Sequence, residues 1–368
     1  MHEYKVIQDP VNGPVRFDGP FLEIIDTPEF QRLRYIRQLG LCYLVFPGAN
    51  HTRFEHSVGT YYLARAFADH FALENRLELE AAALLHDIGH PPFSHSVEPL
   101  FREWTGMDHE EAGRRIVLGE EPFADSQIPG ILEAYGIDRR EVAAIMSADP
   151  GVPYSSLVSG PIDVDEMDYL RRDSLMCGVS TGSVDYRRIM EVLEPEDGRF
   201  VVEEKGLPAI ESLLINRILM YRSVYFHKTC RIAQGMLNNA LRSCRDRVGN
   251  VFRLTDAEIM ESIPEACYRE ITGRRLFKAV VRIRYSGEDL SRVKSAISSM
   301  SEGDYVLDII PPLEFSGPSR VKSTINIRMG GDEVPITEVS PLVRSLMKSL
   351  EDRYILVATR DGISVPGL

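Results

Sequence analysis

Histidine and aspartate crowd one stretch of this chain. His86-Asp87 is followed by His90, His95 and His109, and seven of the nine histidines lie between His51 and His109. Imidazole nitrogen and carboxylate oxygen are the donors that divalent transition ions take, and an adjacent His-Asp pair at a helix end supplies one of each. A second histidine and a second carboxylate from other helices would complete four protein ligands and leave coordination positions for water and substrate. His56, within Arg53-Phe54-Glu55-His56-Ser57, is the upstream candidate. Downstream, Asp163-Val164-Asp165-Glu166-Met167-Asp168-Tyr169 offers several carboxylates on one predicted helix. A lone His-Asp pair is common, and a lone acidic turn is usually a solvated helix start. The order His, then His-Asp with a histidine-rich turn, then Asp is what makes this constellation specific. His51 reads as structural and His70 as a surface residue.

The elements that must position these residues are mostly helical. Asp9-Pro10, Asn12-Gly13-Pro14 and Gly19-Pro20 make the first 20 residues turn-rich, with one short hairpin. Thr27-Pro28-Glu29 reads as an N-cap, a proline at the first helical position and an acidic first turn, with Phe30, Leu33, Ile36 and Leu39 forming an apolar face. Helices are further predicted over 55–73, 78–88, 108–118, 139–147, 163–176 and 208–245, with Pro91-Pro92 re-aiming the chain after the second. Beyond about residue 270 the pattern changes. Strands are predicted at 278–285, 305–310, 323–329 and 354–359, with helices at 291–300 and 341–351. The fold expected is mainly α, a helical core over 1–270 with a smaller C-terminal α+β lobe over 271–368.

Composition narrows the classes. The chain has 368 residues, 44% hydrophobic and 26% charged, which is an ordinary globular balance. A net charge of −13 argues against coating nucleic acid or anionic membrane by bulk electrostatics. Arg217, Arg222, Lys228, Arg231, Arg242, Arg245 and Arg247 leave a local basic strip open. Five cysteines without a C-x-x-C pair read as a reducing compartment. No apolar run approaches bilayer length, and the first residues lack the regions of a secretory signal, so a cytoplasmic protein is expected.

His56…His86-Asp87…Asp165 resembles the HD superfamily of metal-dependent phosphohydrolases. The segments Ile25–Arg34, Phe46–Ser57 and His86–His95 extend the likeness to the sterile-alpha-motif and HD-domain deoxynucleoside triphosphate (dNTP) triphosphohydrolases, without their N-terminal interaction domain. It runs from about residue 5 to residue 280. The resemblance implies an HD-domain core, with His56, His86, Asp87 and Asp165 as ligands of a divalent metal ion (Fe, Mn, Zn, Ni or Mg). It places His90, His95, Glu98 and His109 around the scissile phosphate, Glu98 standing where relatives usually carry Asp. Arg53, Arg217 and Tyr169 would contact phosphates. Gln38, Leu39, Asp173 and Tyr225 would hold the sugar, Asp173 and Gln38 at the 3′-hydroxyl, with Leu39 and Tyr225 crowding a 2′-hydroxyl.

Phosphate-ester hydrolysis needs a polarising metal, an activated water, cations on the phosphate oxygens and an acid for the leaving oxygen. His95 and His109 have the pKa range for that acid, with Glu98 able to orient an imidazole. His95 is expected to be the acid; apart from the resemblance, His109 in Asp108-His109-Glu110-Glu111 reads equally well as a surface histidine. One position departs from the family. Glu166 stands where relatives carry a lysine that touches the triphosphate, and a carboxylate there would repel the phosphate chain.

The resemblance also implies an activator segment within residues 1–40. Lys5, Val6, Asp26, Gln31 and Arg34 match a guanine-nucleotide site, with Gln8 where Asn is usual. His227, Lys228, Arg274 and Lys278 match part of a neighbouring deoxynucleotide effector site, with Glu203 where arginine is expected. The function expected is hydrolysis of a dNTP to deoxynucleoside and inorganic triphosphate, activated by GTP or a dNTP, in a homo-oligomer (dimer or tetramer). Two rivals stand beside it: a nucleotidase or phosphodiesterase acting on monophosphates or nucleic-acid ends, and a non-catalytic nucleotide sensor or nucleic-acid-binding regulator.

Overall fold

The computed structural model describes residues 4–310, 325–349 and 353–365. It opens on an antiparallel hairpin, β1 (Tyr4–Asp9) and β2 (Gly13–Asp18). Asp9 closes its turn by accepting from the Asn12 amide at 2.7 Å, and Val15 and Phe17 face inward, Phe17 stacked on Tyr61 with ring centroids 4.7 Å apart. After α1 (Gly19–Asp26) the Thr27 hydroxyl caps a short helix, Pro28–Gln31, as its sequence predicts. That helix does not run to Leu39. It tightens into a 3₁₀ turn over Arg32–Tyr35 and stops, because the next backbone groups pair elsewhere. The Ile36 carbonyl accepts from Arg53 at 2.9 Å and the Gln38 amide donates to His51 at 3.0 Å.

The body is a helical bundle around α2 (Arg53–Phe71). The Glu55 carboxylate accepts from the Thr52 amide and hydroxyl, fixing the start of this helix. Most of its circumference is buried, polar His56, Ser57 and Thr60 included. It lies between α3 (Arg76–Leu85) and α7 (Val164–Cys177); α6 (Arg139–Met146) packs on α3, α5 (His109–Leu118) packs on α6, and α4 (Glu98–Thr105) precedes α5 in the chain. Ala81, Ala82 and Ala83 are fully buried in α3, and small side chains let that helix approach its neighbours closely. The chain leaves α3 at His86, whose Nδ1 lies 2.8 Å from the Ala83 carbonyl. The following turn comes so near α5 that a Cβ at Gly89 would stand 2.2 Å from both the Gly113 nitrogen and the His109 carbonyl.

The single helix predicted over 208–245 is two. α8 (Leu207–Met220) widens into a π turn at Tyr221–Tyr225, the chain extends at His227, and α9 (Lys228–Arg242) restarts with the His227 ring accepting from Thr229. The C-terminal lobe contains a three-stranded sheet, β5 (Lys278–Arg284), β9 (Tyr354–Thr359) and β6 (Tyr305–Ile310), with β9 central and antiparallel to both. α10 (Gly287–Ile297) covers it through Val293 and Ile297. A second sheet joins β3 (Leu193–Glu196) and β4 (Arg199–Glu203) to β7 (Asn326–Met329) and β8 (Asp332–Pro335), with β4 and β7 parallel. Periodicity missed β3, β4 and β8, which are four or five residues long. The expected strand 323–329 and helix 341–351 each begin or end outside the described residues; α11 (Pro341–Ser349) carries the second. The mainly helical fold with a sheet-containing lobe is as expected.

Gly89→Ala should cost about 3 kcal/mol, because its Cβ meets backbone that cannot rotate away. A urea titration measures it; a loss under 1 kcal/mol would show that the turn and α5 can separate.

Candidate active site

α2, the end of α3 and the start of α7 bring three donors to one point. His56 Nε2 lies 2.9 Å from Asp165 Oδ1 and 3.2 Å from His86 Nε2, and His86 Nε2 lies 3.7 Å from Asp165 Oδ1. Ligands about 2.1 Å from a tetrahedral or octahedral ion are separated by roughly 3.0–3.4 Å, so this spacing suits a divalent metal. Asp87 borders the same point, Oδ1 at 3.4 Å from His86 Nε2 and Oδ2 at 3.7 Å from His56 Nε2. Two imidazole nitrogens in such proximity need a shared cation or proton between them. In the metal-free protein, burial opposes charge on His56, but Asp165 and Asp168 outweigh it and raise the ring to about 10. The donor set therefore fits a metal.

Asp168, one of several carboxylates on the same predicted helix, has a definite partner. Its Oδ2 lies 2.9 Å from His56 Nδ1, so the ring can donate there and turn its Nε2 lone pair toward Asp165 and His86. The spacing of three residues from Asp165 was the available signal, since it puts both on one helix face.

A second group of imidazoles adjoins the first. His90 stacks on His109 with centroids 4.0 Å apart, and His95 stands edge-on to both. Nitrogens of the three lie within 4.8 Å of one another. His90 Nε2 reaches Asp87 Oδ1 at 3.2 Å, linking the two groups. Glu98 holds the outer pair: one oxygen lies 3.0 Å from His95 Nδ1, and the other accepts from the His109 amide at 2.9 Å and bonds its ring. Burial works against charge on both partners, but the Glu98–His109 contact prevails, holding the carboxyl well below its ordinary range and His109 above its own. Burial, with Arg53 and His109 nearby, pushes His90 the other way. His95 is the exposed member, its side chain 62% accessible against 14% for His109.

The residues matched to a sugar also converge. His51 Nε2 lies 2.6 Å from Asp173 Oδ1, and the Tyr225 hydroxyl donates to Asp173 Oδ2 at 2.7 Å. Gln38 joins through its amide on the His51 carbonyl, and its side-chain oxygen is buried without a partner among the described residues. Leu39 packs beside it on the core edge. The π turn aims Tyr225 here, with its ring 6.1 Å from Tyr169, which in turn stands 6.4 Å from His56. His51 thus has a definite place, orienting Asp173.

Two arginines matched to phosphates are engaged by acids. Arg53 donates to Asp87 Oδ2 at 2.5 Å and to the Ser94 hydroxyl at 2.9 Å. Arg217 donates to Glu166 Oε2 at 3.2 Å, and Glu166 Oε1 is buried with no hydrogen-bond partner among the described residues. Burial, reinforced by Asp165, lifts Glu166 to about 7 despite Arg217. At the N-terminal surface Lys5 bonds Asp26, Gln31 donates to the Ile25 carbonyl at 2.6 Å, and Arg34 bonds Gln31 and lies over Phe54; Val6 is exposed beside them. His227 packs edge-on to Phe46, and Arg274 donates to the Leu44 carbonyl, which places both by the 40–46 turn. Lys228 and Lys278 are exposed at the starts of α9 and β5.

A helical bundle carrying His, His-Asp and Asp around a divalent-ion position, with a histidine array beside it, defines a metal-dependent phosphohydrolase centre. The chain belongs to the HD-domain phosphohydrolases: residues 53–172 match the HD domain and residues 184–357 the HD associated region. It is 38% identical over 270 residues to the YwfO protein of Bacillus subtilis, covering 70% of this chain and 60% of that one. Identity to a protein of Methanocaldococcus jannaschii is 34% over 369 residues, covering 94% and 76%. The deoxynucleoside triphosphate triphosphohydrolase SAMHD1 of Gallus gallus is 33% identical over 280 residues, 65% of this chain and 45% of that protein. The chain thus spans less than two thirds of two of these three relatives. A phosphohydrolase structure from Bacteroides thetaiotaomicron superposes with TM-score 0.77 at 28% identity, covering 97% and 100%. No helix among the described residues is long and apolar enough to cross a membrane.

The His109 ring should titrate above the ordinary imidazole value of about 6.5. In Glu98→Gln it should fall toward that value, since the charge that raises it is gone. ¹⁵N NMR titration of the histidines checks this, and an unchanged His109 in Glu98→Gln would contradict it.

Proposed function

We propose that this protein is a metal-dependent dNTP triphosphohydrolase, releasing deoxynucleoside and inorganic triphosphate. The observation that carries the reading is the juxtaposition of three groups: the donors His56, His86, Asp87 and Asp165, the array His90–His95–Glu98–His109, and the polar cluster Gln38–Asp173–Tyr225. The likeness to SAMHD1 supports it. A bound divalent ion supplies polarisation of a phosphoryl oxygen and activation of water. The chain's residues do the rest. Asp173 and Gln38 hold the 3′-hydroxyl, Leu39 and Tyr225 close the space a 2′-hydroxyl would take, and Arg53, Tyr169 and Arg217 meet phosphate oxygens. His95, oriented by Glu98, gives the leaving oxygen its proton, while His109 and His90 line the scissile phosphate. Lys5, Val6, Asp26, Gln31 and Arg34 form a guanine-nucleotide activator site, His227, Lys228, Arg274 and Lys278 contribute to a dNTP effector site, and the chain works as a homo-oligomer. A core over 1–270 carries the chemistry, and 271–368 serves assembly or effector contacts, in a cytoplasmic setting.

One observation favours a second reading. Glu166 bonds Arg217 and, among the described residues, keeps a carboxyl oxygen without a hydrogen-bond partner near the position proposed for the phosphates, which disfavours a long anionic chain and favours a monophosphate or a nucleic-acid end.

Metal-reconstituted protein incubated with each dNTP, with and without GTP, and resolved by ion exchange should yield deoxynucleoside and triphosphate, absent in Asp87→Ala and His56→Ala. No turnover of any dNTP with several metals would sink the main reading. If orthophosphate release from a monophosphate dominates instead, Glu166→Gln should shift kcat/KM toward the dNTP by about tenfold when assayed above about pH 8, where Glu166 is ionised, equivalent to roughly 1.4 kcal/mol of relieved repulsion.

A further inference from the structure

The contacts behind His56 lead out of the active site to the N-terminal hairpin. Asp168 Oδ2, which faces His56 Nδ1, also accepts from Arg172 Nε at 2.8 Å, and Asp168 Oδ1 accepts from Arg172 Nη2 at 2.9 Å. The other side of the same guanidinium meets Asp9, Nη1 to Oδ1 at 2.6 Å and Nη2 to Oδ2 at 3.2 Å. Arg172, Asp168 and Asp9 are all buried, Arg172 completely. One planar fork is thus held by two carboxylates, and neither can rotate without disturbing the other.

The surroundings leave this relay little freedom. Asp9 Oδ2 closes the hairpin turn through the Asn12 amide, and the Asn12 side chain accepts from Arg171 at 2.9 Å and approaches Asp168 at 3.4 Å. On the opposite side α2 presents Gly59, where a Cβ would stand 2.0 Å from Asp168 Oδ1 and 2.3 Å from Arg172 Nη2. The far end of the hairpin is open, with Tyr4 and Val6 more than half exposed. One end of β1 therefore touches solvent while the other grips the partner of a metal-site histidine.

We infer that the hairpin and the metal centre are thermodynamically coupled through Asp9, Arg172 and Asp168, with Asp9 and Arg172 acting as positioning residues for His56. This rests on His56 being a metal ligand. A displacement of Asp9 frees Arg172 to swing, which turns Asp168 and with it the His56 ring. Coupling is reciprocal, so a metal that fixes His56 must also steady the hairpin.

The test uses the full chain and Mn²⁺ in a chelator-competition titration. Asp168→Asn should weaken Mn²⁺ binding about 10- to 100-fold, the usual range for an outer-shell partner, and Asp9→Asn by roughly 3- to 10-fold. Arg16→Ala, which removes an exposed hairpin ion pair with Asp18, should stay within about twofold. Hydrogen exchange on the unmutated protein gives a reading that does not depend on a variant folding: Mn²⁺ should slow exchange of the Ile7, Gln8, Asp9 and Asn12 amides more than that of β5. A lowered Tm in Asp9→Asn with Mn²⁺ affinity and hairpin exchange both unmoved would overturn the coupling. His56→Ala separates the premises: wild-type affinity there would overturn the ligand assignment itself.

Discussion

The arrangement of this molecule depends on one electrostatic requirement, the keeping of several carboxylates out of water at close quarters. Asp9, Asp87, Asp168, Asp173 and Glu166 are all buried, and an isolated charge in such a place costs several kcal/mol. Each is answered by a group from another element, Asp168 also by Arg172 of its own helix. Arg53 of α2 meets Asp87, Arg172 of α7 bridges Asp9 and Asp168, Arg217 of α8 meets Glu166, and His51 with Tyr225 holds Asp173. The bidentate bonds of Arg172 fix the hairpin against α7 in angle as well as distance, and the single bonds of Arg53 and Arg217 tie α2 and α8 to the same group of acids. Among the described residues Asp165 is answered by the imidazoles of His56 and His86 alone, which is where a metal's charge belongs.

Much of this was legible in the sequence, for reasons that differ by residue. His86-Asp87 was readable as an adjacent donor pair and His56 as an upstream candidate, whereas Asp165 stood among several carboxylates of one helix and was singled out only by the resemblance to the HD superfamily. The helical body followed from apolar periodicity. Glu98 was readable as an imidazole partner because it lies three residues from His95, but its reach to His109, eleven residues on, depends on how α4 and α5 meet. Long-range partnerships left no local trace. Nothing in the spacing of Asp9 and Arg172, 163 residues apart, announces a bidentate pair, and the role of Gly59 exists only once α2 lies against α7.

The failures share a cause. The helix expected through Leu39 stops at Tyr35, and the helix expected over 208–245 divides, although propensity and apolar pattern would continue both. In the first, residues 36–38 spend their backbone groups on residues 51–53, bringing Gln38 beside His51. In the second, the π turn changes the direction in which Tyr225 points without adding a loop. Local preference lost to site geometry in both places, and both carry residues of the proposed sugar pocket.

The parallel pairing of β4 with β7 has a consequence for how the chain is made. Val202 registers with Ile327, so the edge of β4 waits for a strand that leaves the ribosome more than a hundred residues later. Until then the β3–β4 ribbon offers an open hydrogen-bonding edge to any passing strand, and closing it carries the slow kinetics of a distant contact. The helices that carry the metal donors end by Cys177, well before β7 is made, and can assemble first. The nascent chain should therefore hold a formed catalytic centre beside an unfinished sheet, and it is the sheet, not the centre, that a chaperone would have to shelter.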